Sequence, residues 1–490
     1  MSGITDVRLV DVSFSYPQQS SLLQHLNLHF SSGWTGVVGA NGSGKSTLLQ
    51  LLTGELEPVL GQVLPKTRRV TRQAQAIPHQ DALADFAWEF SRQSLKWLSI
   101  FDLDPESFSR WETLSAGERR RWQLAEVLSR PNDVLILDEP TNHLDARGKE
   151  VLLEAMRSFR GVGIVVSHDR DLLDRGTNHT VRLYRGTAVQ WTGSYSDARP
   201  FWQEQARLEV EALNRAQDEA RAAQKLLNQT RAQHESSKLS LCAKHRMKGV
   251  KDSDARGMLA KGCAESAEAR IGRSAGVLSR EVQRLNRELE DLPRPEKSRE
   301  IRIDTGDYKK VLAEFDIGDE LWFKQFEDQD QGPSILRVSG DSRFWVKGEN
   351  GCGKSTLLRR LVAELRIPKD ELIWIEQEPD RAQVFSMAKD HGGDARSKML
   401  HTAAALGFDV EIFLNDLPAS PGQLRKLAMA EGLVRQPALI VLDEPTNDLD
   451  IEAIEKFESA LEDFGGSLVV VTHDLQFAKN LGLTPLETLF

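Results

Sequence analysis

GANGSGKST at Gly39–Thr47 and GENGCGKST at Gly348–Thr356 are nearly the same nine residues written twice in one chain. Each follows a short apolar run (TGVV, RFWV) and leads into LLQLL or LLRRL, so each reads as strand, glycine-rich turn and helix. LILDEPTNHLD at Leu135–Asp145 recurs as IVLDEPTNDLD at Ile440–Asp450, and SHD at Ser167–Asp169 recurs as THD at Thr472–Asp474. The offset is 309 residues for the lysines Lys45 and Lys354, and 305 for both Asp138/Asp443 and His168/His473. A nearly constant offset over separate motifs means two copies of one domain.

The copies run over 1–198 and 300–490, and the stretch 199–299 between them has another character. Residues 201–233 are rich in Ala, Gln, Glu, Arg and Leu without Gly or Pro, and VLSREVQRLNRELEDL further on spaces its apolar residues three and four apart. Both predict long helices. Together they predict a helical hairpin with a basic tip. The fold class expected is therefore α/β, two P-loop domains joined by a long α-helical hairpin linker. The 490-residue chain carries a net charge of −10, yet Arg221–Arg287 holds fifteen Lys or Arg against six Asp or Glu. A local +9 in an acidic chain points to one localised polyanion contact. No apolar run approaches the length of a membrane span, and MSGITDVRLV has neither the basic start nor the apolar run of a secretory signal. Cys242, Cys263 and Cys352 form no close pair, which supports neither a disulfide framework nor a zinc cluster and fits reduced side chains in a cytoplasmic protein.

The repeated phrases specify a chemistry. Gly39, Gly42 and Gly44 let the backbone turn its N–H groups, with those of Asn41 and Thr47, towards phosphates at a helix N-terminus. Lys45 is placed to reach β- and γ-phosphates and Ser46 to ligate Mg²⁺. Gly348, Asn350, Gly351, Gly353, Lys354, Ser355 and Thr356 repeat the set. LILD and IVLD read as buried parallel strands ending in a carboxylate, which puts Asp138 and Asp443 where they can hold Mg²⁺. Glu139 and Glu444 come next, turned towards the γ-phosphate side, where a carboxylate can take a proton from attacking water.

The order of glycine-rich loop, LSAGE at Leu114–Glu118, LDEP and SHD resembles the nucleotide-binding domain of the ATP-binding cassette superfamily. The resemblance implies ATP and Mg²⁺ as ligands. It also implies that the signature, here Ser115 and Gly117 or Ser420 and Gly422 of ASPGQ, caps the γ-phosphate bound by the opposite cassette. It makes Gln73 and Gln377 the metal- and water-sensing glutamines, with Gln75 two residues from the first, and His168 and His473 the switch histidines. Tyr16 is the candidate to stack on adenine in the first cassette; the nearest counterpart in the second is Phe326.

EPTNHLD and EPTNDLD, two cassettes on one chain, no membrane segment and a charged linker resemble the ABC-F subfamily, whose members bind ribosomes with the hairpin reaching towards the peptidyl-transferase centre. This implies a monomer with intramolecular cassette pairing that acts on the ribosome as a translation factor or antibiotic-resistance protein. Lys238, Lys244, Arg246, Lys248 and Lys251 are then the expected RNA contacts. Many members insert a helical arm between the glutamine and the signature of the first cassette. Here those spacings are 42 and 43 residues in the two copies, which leaves no room for one. Two other readings stay open: the ATPase subunit of a transporter, and a DNA-binding ABC-F ATPase.

Overall fold

A computed structural model describes residues 6–17, 21–65, 69–89, 91–244, 273–290, 311–316, 335–348, 353–368, 371–435 and 437–487. The chain divides into two compact units, one of Met1–Ala198 with Arg299–Phe490 and one of Arg199–Ser298.

In the first unit each cassette is built on a sheet with a parallel core. The six-stranded sheet runs in the order Val70–Gln73, Val134–Asp138, Val162–Val166, Gly33–Val38, His179–Tyr184, Thr187–Thr192, and only the last pair is antiparallel. The second cassette repeats it with Leu372–Ile375, Leu439–Asp443, Ser467–Val471, Arg343–Lys347 and Thr484–Glu487. All five residues of Val134–Asp138 and of Leu439–Asp443 are buried, so each of these carboxylates ends a strand covered on both faces. Antiparallel strands Asp6–Phe14, Leu23–Ser31 and Leu60–Leu64 form a separate sheet in the first cassette, and Val311–Asp316 pairs with Ile335–Ser339 in the second. Between glutamine and signature both cassettes hold only short helices, the longest Arg92–Ile100 in the first and Gly393–Ala405 in the second. No arm is present there among the described residues.

The cassettes face each other within this unit. Asn41 N donates to Asp450 Oδ2 at 3.2 Å, Lys149 Nζ to the His473 carbonyl at 3.1 Å, and Tyr195 Oη to Glu455 Oε1 at 3.0 Å.

In the second unit the helix Tyr195–Lys244, whose first four residues belong to the cassette unit, runs for 50 residues, about 75 Å. Leu213, Ala220 and Leu227 are buried along it at seven-residue intervals, a seam of coiled-coil type. The helix over 273–290 lies beside it, its Asn286 and Leu289 sharing a groove with Ala220 and Gln224. The expected hairpin is thus present. Lys238 and Lys244 lie on the last turns of the long helix, but their side chains, and Arg246, Lys248 and Lys251 entirely, fall outside the described residues. Among the described residues no helix is long and apolar enough to cross a membrane.

Candidate functional site

Both glycine-rich turns end in a glycine that the geometry demands. Gly44 and Gly353 cap the helices Lys45–Thr53 and Lys354–Ala363 at φ 97° and 90°, a left-handed conformation that a Cβ disfavours. Each lysine then folds back over its own loop. Lys45 Nζ donates to the Gly39 and Ala40 carbonyls at 2.6 and 3.1 Å, and Lys354 Nζ donates to the Gly348 carbonyl at 2.7 Å. Lys45 is buried, and that burial holds its ammonium below the usual lysine range. Asn350 and Gly351 lie outside the described residues, and Thr356 is exposed.

A cavity of about 470 Å³ opens on the first loop. Asn41, Gly42, Gly44, Lys45, Ser46 and Thr47 form its floor, with Asp138, Glu139 and His168 on one side. Its opposite wall comes from the other cassette: Ser420, Pro421, Gly422 and Gln423. A second cavity of about 250 Å³ joins Gln377, Glu444 and His473 to Ser115, Ala116 and Gly117 of the first cassette. Each signature therefore stands at the other copy's site. Both signature serines cap their helices: Ser115 Oγ accepts from Glu118 N at 3.2 Å and Ser420 Oγ from Gln423 N at 3.3 Å. The N-terminus of each helix is thereby aimed where an anion would sit.

Glu139 and Glu444 occupy a strained backbone position, φ 50° and 48°. Each is pinned by its own N–H, which donates to Val166 O at 2.8 Å and Val471 O at 2.9 Å respectively. This turn at the strand end brings both carboxylates into the cavities. His168 N and His473 N donate to their Oε2 atoms at 3.3 Å each. Glu139 Oε1 lies 3.2 Å from His168 Nε2 and Glu444 Oε1 3.4 Å from His473 Nε2, but neither Oε1 has a hydrogen-bond partner. Burial pushes the Glu139 carboxyl well above the usual carboxylate range and Glu444 up to about 7. Burial first, then the adjacent lysine, pushes His168 down and His473 to about 3. Both imidazoles are therefore neutral at pH 7, each beside a carboxyl group with an unused oxygen that becomes a base only as pH rises. The unpartnered oxygen is a place for water to bind, and the ionised form of the group can accept that water's proton.

The glutamine register needs correcting. Gln73 is 0 % exposed and its amide is spent inside the sheet, Oε1 accepting from Asp138 N and Nε2 donating to Asp138 O. Strand pairing sets Gln73 opposite Leu137 and Ile375 opposite Leu442, so Ile375, not Gln377, is its counterpart. Gln75 corresponds to Gln377, and both line cavities. Matched arginines confirm the match: Arg120 Nη2 donates to the Gln75 carbonyl and Arg425 Nη2 to the Gln377 carbonyl. Tyr16 is beside the loop, its hydroxyl 3.2 Å from Thr47 Oγ1, but its ring packs edge-on against Phe14 and is not part of the cavity wall. Phe326 lies outside the described residues.

The donors present fit a hard divalent cation together with a triphosphate: the Ser46 hydroxyl, the Asp138 carboxylate and the Gln75 amide at one cavity, all oxygen ligands. At the other, the Ser355 hydroxyl hydrogen-bonds Asp443, with Gln377 in the cavity wall. Residues that the sequence reading missed include Arg72, Lys149, Arg170 and the buried pair Lys426–Asp450, whose Asp450 also meets the first phosphate loop.

A family model described as ABC transporter matches residues 23–142 and 335–447. Among curated proteins, the tylosin resistance ATP-binding protein TlrC of Streptomyces fradiae is 30% identical over 95% of this chain and 94% of its own length. The ribosome protection protein VmlR of Bacillus subtilis is 26% identical (96% and 85%), and the energy-dependent translational throttle protein EttA of Escherichia coli 26% (95% and 89%). Among solved structures, that of the archaeal ribosome recycling factor aABCE1 with stalk protein aP1 superposes with a TM-score of 0.55, covering 96% of this chain and 86% of that one. At 16% identity it supports the fold alone.

Proposed function

Since the chain belongs to the ABC-F subfamily of ATP-binding cassette proteins and is an ATPase, we propose that it binds ATP in two composite cavities and uses closure of its cassettes to act on the ribosome. The observation that carries this reading is the wall of the first cavity, where Lys45 and Glu139 of one cassette face Ser420–Gln423 of the other. ATP held there contacts both halves of the chain, so binding joins them and cleavage of the γ-phosphate releases them.

The roles follow from the geometry. Lys45 and Lys354 hold the phosphates, and the helix N-termini at Ser420 and Ser115 face the γ-phosphate from the opposite side. Ser46, Asp138 and Gln75, with Ser355, Asp443 and Gln377, are the groups to hold Mg²⁺, which when bound neutralises charge on the β- and γ-phosphates. Glu139 and Glu444 orient the attacking water and accept its proton. Neutral His168 has a ring nitrogen, Nδ1, without a partner to offer the γ-phosphate, and His473 Nε2 lies 2.9 Å from Nζ of Lys354.

The ribosome enters through the relatives. Proteins named for ribosome protection, tylosin resistance and translational throttling align along nearly the whole chain, hairpin included. The basic segment of that hairpin, with Lys238, Lys244, Arg246, Lys248 and Lys251, is the part we assign to ribosomal RNA.

The test uses Glu139→Gln/Glu444→Gln, in which the proton acceptors are lost at constant size and hydrolysis should slow by about 10²–10⁴. With ATP this variant should pellet with ribosomes and ignore branched DNA at equal salt. Pelleting that does not require ATP, or a preference for the DNA, would contradict the reading.

A further inference from the structure

The two acidic strands end in the same aspartate but in different company. Arg72 Nη2 lies 2.8 Å from Asp138 Oδ2, an ion pair whose side chains are 18 % and 7 % exposed. The guanidinium is also 3.5 Å from Glu55 Oε2, and its Nε is buried without a partner, so it is held behind Asp138 rather than swinging in solvent. Arg72 pairs with Ile136 in the sheet as Trp374 pairs with Val441, which makes Trp374 its counterpart. Trp374 brings no cation: its Nε1 donates to Glu376 at 3.0 Å. Asp443 instead accepts from the Ser355 hydroxyl, and Lys354, Arg359 and Arg425 act on it only over longer range.

This difference bears on how each site tolerates a triphosphate. An unpaired, poorly solvated carboxylate repels the phosphate anion, and a divalent ion between them normally removes that repulsion. Among the described residues no cationic side chain contacts Asp443. At Asp138 one positive charge is already in contact, supplied by the chain itself.

We propose that Arg72 is a tethered counter-cation of the first site, neutralising Asp138 so that the Lys45 cavity holds nucleoside triphosphate with little dependence on divalent metal, while the second site, at Lys354 and Glu444, depends on it. The inference rests on the reading that both cavities bind ATP. It makes the first cavity a site of retention: nucleotide stays where the metal ligand is already paired, and the metal that hydrolysis requires is bound less firmly there.

Equilibrium dialysis of radiolabelled ATP tests this without reference to activity. In the full chain, Lys354→Ala isolates the first cavity and Lys45→Ala the second, and each is measured in excess Mg²⁺ and in EDTA. The first cavity should lose less than about threefold in affinity on metal removal, and the second more than about tenfold. Adding Arg72→Leu to Lys354→Ala should raise the loss to the second cavity's value, whereas Arg72→Lys, which keeps a cation, should not. Equal losses at the two cavities with Arg72 intact, or a loss unmoved by Arg72→Leu, would overturn the proposal. If neither cavity binds ATP in Mg²⁺, the ATP-site reading itself fails, and this inference with it.

Discussion

Arg170 of the first cassette and Glu458 of the second form a two-pronged ion pair, Nη1–Oε2 3.0 Å and Nη2–Oε1 2.5 Å, with side chains 4 % and 5 % exposed. Asp474 joins at 3.2 Å, and Asn480 Nδ2 donates to Glu458 Oε2 at 2.9 Å. At the 305-residue offset the counterparts of Arg170 and Glu458 are Leu475 and Leu153, so the bridge is built once and breaks the two-fold repeat. It is a contact between cassettes that needs no nucleotide.

Removing the cation strands two buried carboxylates. Arg170→Met should therefore cost about 3–5 kcal/mol, the range for breaking a buried pair from one side. Arg170→Met/Glu458→Met should cost less than the sum of the single changes, because no unpaired arginine or Glu458 carboxylate remains. Urea unfolding midpoints of the three variants check this, and strictly additive losses would contradict it.

The carboxyl shifts set a pH dependence. Burial favours the protonated acid, so Glu444 becomes a base only as pH rises through about 7. The ratio kcat/KM for ATP, which reports the free enzyme, should thus fall on the acid side with a midpoint near 7. His473, pushed down to about 3, contributes no limb of its own there. A profile flat down to about pH 5, as an ordinary glutamate would give, would contradict the burial argument.

The basic segment makes a separate prediction about salt. Changing Lys244, Arg246, Lys248 and Lys251 to Gln should weaken ribosome binding and flatten its dependence on log salt by roughly three, since each lost phosphate contact releases fewer counterions. ATPase of the free protein should stay near that of the parent. An unchanged salt slope would remove these cations from the RNA contact.

The motifs that carry covalent chemistry were legible because they are local. Gly44, Lys45, Asp138 and Glu139 lie in short phrases whose strand and helix contexts the flanking leucines announce, and they recur at one offset. Gln73 misled for the same reason. Motif offset was carried into a strand where the copies differ by 302 rather than 305 residues, and only pairing with Leu137 and Leu442 reveals the slip. Arg72 and Arg170 had no signal at all. Each draws its role from a partner 66 or 288 residues away, across a sheet or between cassettes, and an isolated arginine says nothing of such a partner.

Several of these features converge on one inequality. The helix Pro421–Leu433 presents its first turn to the Lys45 cavity with a proline at its first position, where the fixed φ suits a helix start but no N–H is offered. Ala116, at the same place facing the Glu444 cavity, keeps its N–H. The Glu118 carboxylate that follows is drawn back onto Ser115 N and Oγ at 2.8 and 2.7 Å, away from the cavity wall. The first cavity thus has one phosphate donor fewer and a metal ligand already engaged by Arg72.

The direct measurement of this account is steady-state ATP hydrolysis by Glu139→Gln and Glu444→Gln, each alone, beside the parent. Glu444→Gln should lower turnover by at least about tenfold, because it disables the cavity with the intact set of donors, and Glu139→Gln by less than about threefold. Equal losses, or a larger loss from Glu139→Gln, would contradict the claim that the first site holds ATP while the second turns it over.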